Sequence, residues 1–202
     1  QETFFHGLNL PVNILPTGLK YKKGGIGMSH VIYAAYGSNL LKERFLVYIK
    51  GGTFMGVHYE GCKDKTEPES LGWIWVPYRV YFAKSSGRWN NQGVAFLSCE
   101  KETNPEYHAV VRLWKIKESQ LEDLQKQEGK GWYGEIITLG EKDGLKILTF
   151  TGCWYNEKNT PSQLYLDVLK KGLKETTGWT GEEIDKYWEK FLKVELSCEA
   201  VL

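Results

Sequence analysis

The stretch that most constrains this chain is the apolar run 31–36, which stops abruptly at Gly37-Ser38-Asn39. A run so short and so apolar reads as a buried strand, and the small polar residues after it force a sharp turn. Further strands follow. Residues 73–83 are strand-like and aromatic, with Pro77 marking an edge or a bulge. Residues 92–98 and 107–116 read as two strands joined by the polar turn at Asn104-Pro105. Residues 136–139 and 145–154 flank Glu141-Lys142-Asp143-Gly144, a hairpin turn. Residues 40–49 begin as a short helix, and 50–72, rich in glycine and charge, read as an irregular loop.

Three helices are announced by their caps. Ser119 with Glu122 forms a capping box that opens a helix running to about Gln127 and stopping at Gly129. Thr160 caps a second helix with Pro161 in its first turn and Gln163 closing the box; its apolar face is Tyr165, Val168, Leu169 and Leu173. Thr180 with Glu183 opens the third, whose stripe of Ile184, Tyr187, Trp188, Phe191 and Leu192 is core. Strands, a helix, a hairpin and two helices in that order specify an α+β fold. Its sheet is expected to be mixed, mostly antiparallel and barrel-like, with a few flanking helices.

The 202 residues are enough for one domain with a real core. Lys+Arg of 26 against Asp+Glu of 25 leaves a net charge of +1, which gives no electrostatic footprint for a nucleic-acid partner. No apolar run approaches the roughly 20 residues that span a bilayer, so no membrane partner is expected and a cytoplasmic location is. Cys62, Cys99, Cys153 and Cys198 are widely spread, and His6, His30, His58 and His108 are scattered. Free thiols, no metal and no cofactor are the expectation.

Residues 1–27 show no sustained period. Met28 has the look of a natural start, and 1–27 that of a vector-derived leader or an N-terminal extension, a cleaved signal peptide being the competing explanation. The single domain is expected to occupy 28–202.

Chemistry is suggested at two places. Glu128 follows Leu121 and Leu124 at helical intervals, so the three share an apolar face. Desolvation and the negative end of the helix dipole both raise the pKa of a carboxylate placed there, making it a better base than a surface glutamate. The plainer reading is a helix that ends in solvent with Gly129 as its cap. The second place is Tyr36-Gly37-Ser38-Asn39-Leu40. A strand that turns abruptly into a helix aims successive backbone N–H groups into one small space, fit for a carboxylate or an oxyanion. Gly37 would permit a strained backbone and close approach of a ligand, although Gly-Ser-Asn alone is also an ordinary polar turn.

Taken in order, these segments resemble the γ-glutamylcyclotransferase family. The match rests on Tyr36-Gly37-Ser38-Asn39-Leu40 after the first strand and on Gln127-Glu128-Gly129 after a Leu-x-x-Leu helix. It is extended by the segment 86–95 with Trp89 ahead of Gly93, and by Pro161-Ser162-Gln163-Leu164-Tyr165. It spans about residues 31–192. The resemblance implies a small-molecule γ-glutamyl substrate whose own α-amine attacks its γ-carbonyl, releasing 5-oxoproline and an amine or amino acid. It implies Glu128 as the acid/base group, and Tyr36, Gly37, Ser38, Asn39, Leu40, Tyr133 and Tyr165 as substrate-binding residues. A homodimer is admissible. Two other readings stand beside it: a non-catalytic binding member of the same fold, and an amidohydrolase or acyltransferase using the same pocket. A cysteine nucleophile is weaker, since no cysteine lies in a glycine-rich turn with a histidine nearby.

Overall fold

The computed structural model describes residues 29–129 and 131–197. The expectations for residues 1–27, Met28, His6 and Cys198 fall outside them. The elements run β1 (His30–Ala35), α1 (Lys42–Lys50), β2 (Gly52–Phe54), β3 (Val57–Tyr59), β4 (Glu69–Val76), β5 (Val80–Ser86) and β6 (Gln92–Leu97). They continue with β7 (Ala109–Lys117), α2 (Glu118–Glu128), β8 (Glu135–Lys142), β9 (Leu145–Thr151), α3 (Gln163–Thr177) and α4 (Gly181–Ser197).

β1 is apolar on both faces and buried from Val31 to Ala35, so it sits in the middle of a five-stranded sheet ordered β4-β7-β1-β9-β8. It pairs antiparallel with β7 and parallel with β9, and the outer pairs are antiparallel. The expected α+β class with a mixed, mostly antiparallel sheet holds. The strands form an open sheet with two separate hairpins, β2–β3 and β5–β6, rather than a closed barrel. Where a barrel would continue from β9 to β6, one side chain stands in for the ladder. The Thr151 hydroxyl donates to the Leu97 carbonyl at 2.6 Å and accepts from the Leu97 N–H at 3.0 Å.

Several local expectations are corrected. The stretch 73–83 is two strands, because Pro77 has no N–H to carry a ladder across and Val76 to Val80 turns into the next hairpin. Residues 50–72 contain the small hairpin β2–β3 and the start of β4. Ser119 does not cap α2: β7 runs directly into the helix, and the Gln120 side chain accepts the Lys117 N–H at 2.9 Å. Ser162, not Thr160, caps α3, accepting from the Tyr165 N–H at 3.2 Å. The Thr180–Glu183 box is present as expected.

Cys99 and Cys153, expected as free thiols, form a disulfide with Cα atoms 6.0 Å apart. They lie just beyond the ends of β6 and β9, which the Thr151 contact draws together. Cys62 is free and buried. Among the described residues no helix is long and apolar enough to cross a membrane.

Helix α3 lies across the turn that follows β1, and its glycine explains how closely. A Cβ on Gly172 would stand 2.6 Å from the Leu41 backbone nitrogen and 2.9 Å from the Leu40 Cβ. The Thr176 hydroxyl of the same helix, which donates to the Gly172 carbonyl at 2.7 Å, lies 3.3 Å from the Leu40 carbonyl, and Arg112 of β7 donates to that carbonyl at 2.8 Å. The turn is thereby held from two sides.

Candidate active site

The turn itself is a single 3-10 turn, Ser38–Leu40, closed by Leu40 N–H to the Gly37 carbonyl at 3.0 Å. As at any helix start, the N–H groups of its first residues are left for other partners. Gly37 has φ −107°, outside the left-handed region, so the expected backbone strain is not what selects glycine. A Cβ there would stand 3.3 Å from the Tyr165 hydroxyl, a tight contact that would press on that side chain. Asn39 is buried and anchored through its carbonyl, which accepts from the Trp114 indole N–H at 3.1 Å.

Around this turn lies a small cavity of about 30 Å³, lined by Tyr33, Tyr36, Gly37, Ser38, Asn39, Ala95, Glu128, Tyr133, Phe150 and Tyr165. Seven of the eight residues singled out in the sequence therefore share one pocket. The exception is Leu40, which is buried in the core beneath α3 and does not line it. Its apolar side chain packs the turn down while its neighbours face the cavity.

Glu128, the last residue of α2, projects into the pocket rather than into solvent. Its Oε1 accepts from the Asn39 amide nitrogen and from the Tyr33 hydroxyl, the latter at 3.2 Å. Burial raises its pKa above the ordinary carboxylate value, opposed by the positive charge of Arg44 and, more weakly, by the hydrogen bond from Tyr33, the charge of Arg88 and the bond from Asn39. The phenols of Tyr33, Tyr36, Tyr133 and Tyr165 are all pushed upward, chiefly by burial, and stay protonated.

The tyrosines also complete the backbone of β6, whose edge faces the cavity at Ala95. Tyr165 accepts the Ala95 N–H at 3.2 Å, and Tyr133 donates to the Ala95 carbonyl at 2.9 Å. Tyr36 donates to the Phe150 carbonyl at 2.7 Å. Trp89, from the segment 86–95, is buried behind Tyr165 with ring centres 4.7 Å apart. The asparagine side-chain oxygen of Asn39 is buried with no hydrogen-bond partner among the described residues, a free acceptor beside the Glu128 carboxylate.

Sequence reasoning missed Tyr33, Arg44 and Arg88. Tyr33 reads as one more apolar position of a buried strand. Arg44 reads as a surface residue of Lys42-Glu43-Arg44, yet it is 1% exposed. No signal short of the folded α1 would have shown it. Among the described residues no three His, Cys, Asp or Glu side chains converge to hold a metal ion.

The fold has solved counterparts. A structure titled gamma-glutamyl cyclotransferase superposes with a TM-score of 0.59 at 22% identity, covering 79% of this chain and 86% of that one. The chain has the γ-glutamylcyclotransferase-like fold. An uncharacterized protein from Homo sapiens matches at 21% identity and TM-score 0.57, over 77% of this chain and 86% of that one. YkqA from Bacillus subtilis matches at 19% and 0.52, over 80% and 54%. Among curated proteins, "Histone deacetylase 5" of Arabidopsis thaliana is 30% identical over 207 residues; the alignment takes in 79% of this chain but spans only 30% of that protein's length. No family model matches the chain.

Proposed function

We propose that this protein is an enzyme that cyclises a γ-glutamyl amide to 5-oxoproline, with Glu128 as the acid/base group. The observation that carries the reading is the Glu128 carboxylate inside the pocket of the Tyr36–Asn39 turn, bonded to Asn39 and Tyr33. The fold likeness to a protein titled gamma-glutamyl cyclotransferase supports it.

The substrate enters with its α-amine protonated. Ionised Glu128 accepts a proton from the ammonium, which is steadied by the free Asn39 side-chain oxygen. The amine nitrogen then attacks the γ-carbonyl carbon, and the electron pair of the C=O bond moves to oxygen. The turn, which lines the cavity, is assigned the role of donating backbone N–H groups to that oxyanion. The intermediate collapses as the C–N bond to the leaving amine breaks and that nitrogen receives the proton held by Glu128. The regenerated carboxylate then takes the second proton from the ring nitrogen and passes it to the departing amine, which leaves as an ammonium. Of the three ammonium protons one remains on the lactam and two leave with the departing amine.

Because attack is intramolecular, the bent bound conformation supplies much of the rate. The deacetylase name of the plant relative describes a protein of which this chain covers less than a third, and nothing in the pocket argues for that activity here.

The test is incubation with a panel of γ-glutamyl dipeptides, amines and isopeptides, with the lactam detected by mass. Formation of 5-oxoproline from at least one is expected. Hydrolysis to free glutamate instead would replace cyclisation with an amidohydrolase reaction, and inertness toward all would leave a binding protein.

A further inference from the structure

The Asn39 amide, which donates to Glu128, is not anchored by its own oxygen. That oxygen is buried without a hydrogen-bond partner among the described residues. Its nitrogen reaches Glu128 and, at 3.5 Å, the Tyr33 hydroxyl. Where the amide points therefore follows from where the Asn39 backbone stands.

That backbone is gripped from β7. The Trp114 indole N–H donates to the Asn39 carbonyl at 3.1 Å. Arg112, two residues earlier on the same face of the strand, donates to the next carbonyl, that of Leu40, at 2.8 Å. The indole is itself fixed. Trp114 is 1% exposed and stands directly opposite Tyr33 in the β1–β7 register. Phe45 of α1 stacks on it with ring centres 4.8 Å apart, and the Arg112 guanidinium carbon lies 4.0 Å from its ring centre. Arg112 is held in turn by Glu175 of α3 at 2.5 Å. Bulk alone does not call for an indole here, since leucine or phenylalanine fills a core without an N–H to satisfy.

We infer that Trp114 is a positioning residue, whose indole N–H fixes the Asn39 backbone so that the Asn39 amide meets the Glu128 carboxylate. This rests on the cyclisation reading for what Glu128 does, but the hold on Glu128 can be measured apart from turnover. The bond from Asn39 favours the ionised carboxylate, so weakening it raises the pH at which Glu128 titrates. The other groups that face Glu128 are Tyr33 and Tyr36 of β1, Arg44 and Tyr48 of α1, Arg88 after β5, Tyr133 and Tyr165. The substitutions below leave all of them in place.

Trp114→Phe removes the indole N–H but also leaves a gap in the core. The deciding variant therefore replaces Trp114 with 3-benzothienylalanine, which has the shape of tryptophan and carries sulfur where the N–H was. It is made alone and together with Asn39→Ala. Two quantities are read: the acid limb of kcat/KM, and the titration of the Glu128 carboxyl by carbon NMR, assigned by its loss in Glu128→Gln. With Asn39 present, both midpoints are expected to rise by roughly one pH unit, the scale of one weakened charge-assisted hydrogen bond. With Asn39→Ala already in place, removing the indole N–H should move them no further, because the donor it aims is gone.

A Glu128 titration that stays put in the benzothienyl variant overturns the positioning role whatever the turnover. An equal rise with and without Asn39 overturns it too, since the indole then acts on Glu128 by another route. A rise that depends on Asn39, with no lactam from any γ-glutamyl substrate, keeps the positioning role and removes the reaction.

Discussion

At the scale of single residues the proposed reaction turns on the proton affinity of Glu128. Its folded pKa is raised, first by burial, so it holds its proton more tightly folded than unfolded. Its contribution to stability is therefore complete below the unfolded value of about 4.3 and is lost as pH rises through the folded value. Glu128→Gln removes that loss. Thermal unfolding should show the variant melting above the native protein at pH 8, with the gap closing toward pH 4; a native protein that is the more stable at pH 8 would count against a desolvated carboxylate. Tyr33 acts on the same group in the opposite sense, since its hydrogen bond favours the ionised form. In Tyr33→Phe the acid limb of kcat/KM should move to higher pH, because Glu128 must lose its proton before it can accept one. An unmoved limb would mean that Tyr33 does not touch the working base. Residue-level reading of the sequence reached Glu128 through its spacing from Leu121 and Leu124, both buried as that spacing implies. It did not reach Arg44, because a charged residue between Glu43 and Phe45 carries no local sign that, besides Tyr48 one turn along its own helix, Phe54 and Tyr59 of the β2–β3 hairpin will close over it.

At the scale of elements, the position of the turn depends on α3. The close approach at Gly172 lets the helix press on Leu40 and Leu41, and these set where Ser38 and Asn39 face. Gly172→Ala forces that contact apart. A loss of roughly 1–3 kcal/mol in stability is expected from overpacking, read from denaturant unfolding, together with a fall in kcat as Asn39 shifts from Glu128. Unchanged stability and activity would show that the helix does not hold the turn. Patterns with a short range were legible here: the Asp143-Gly144 hairpin, the buried central strand and the Thr180 cap all follow from neighbouring residues. The cap at Thr160 was misplaced because Ser162 offers a second hydroxyl two residues on, and that at Ser119 because β7 carries straight into α2 with Lys117 at the cap position. The hairpin β2–β3 was missed because three-residue strands leave no period to read.

For the whole molecule, the β5–β6 hairpin is tied to the rest of the fold by contacts that include the Thr151 hydroxyl, the Tyr133 and Tyr165 hydroxyls at Ala95, the Tyr81 hydroxyl at Gly152 and the Cys99–Cys153 bond. All of these bring together residues far apart in the chain, which is why neither the disulfide nor the open edge could be read from spacing. The bond closes a separation of 54 residues, and chain-entropy arguments place such a cross-link at about 2–4 kcal/mol. Reduction should lower Tm by several degrees in calorimetry, and a Tm indifferent to reductant would show that the bond adds nothing to the folded state.

The pocket exists only because this assembly brings α2, the turn after β1 and the edge of β6 to one point. The most direct test of its proposed chemistry is the rate of 5-oxoproline formation by native protein and by Glu128→Gln, using the best substrate and matched circular dichroism spectra. A positioned acid/base group is worth about 10²–10⁴-fold, so the account predicts a loss of that size in kcat with the fold intact. Full activity in the glutamine variant would contradict it.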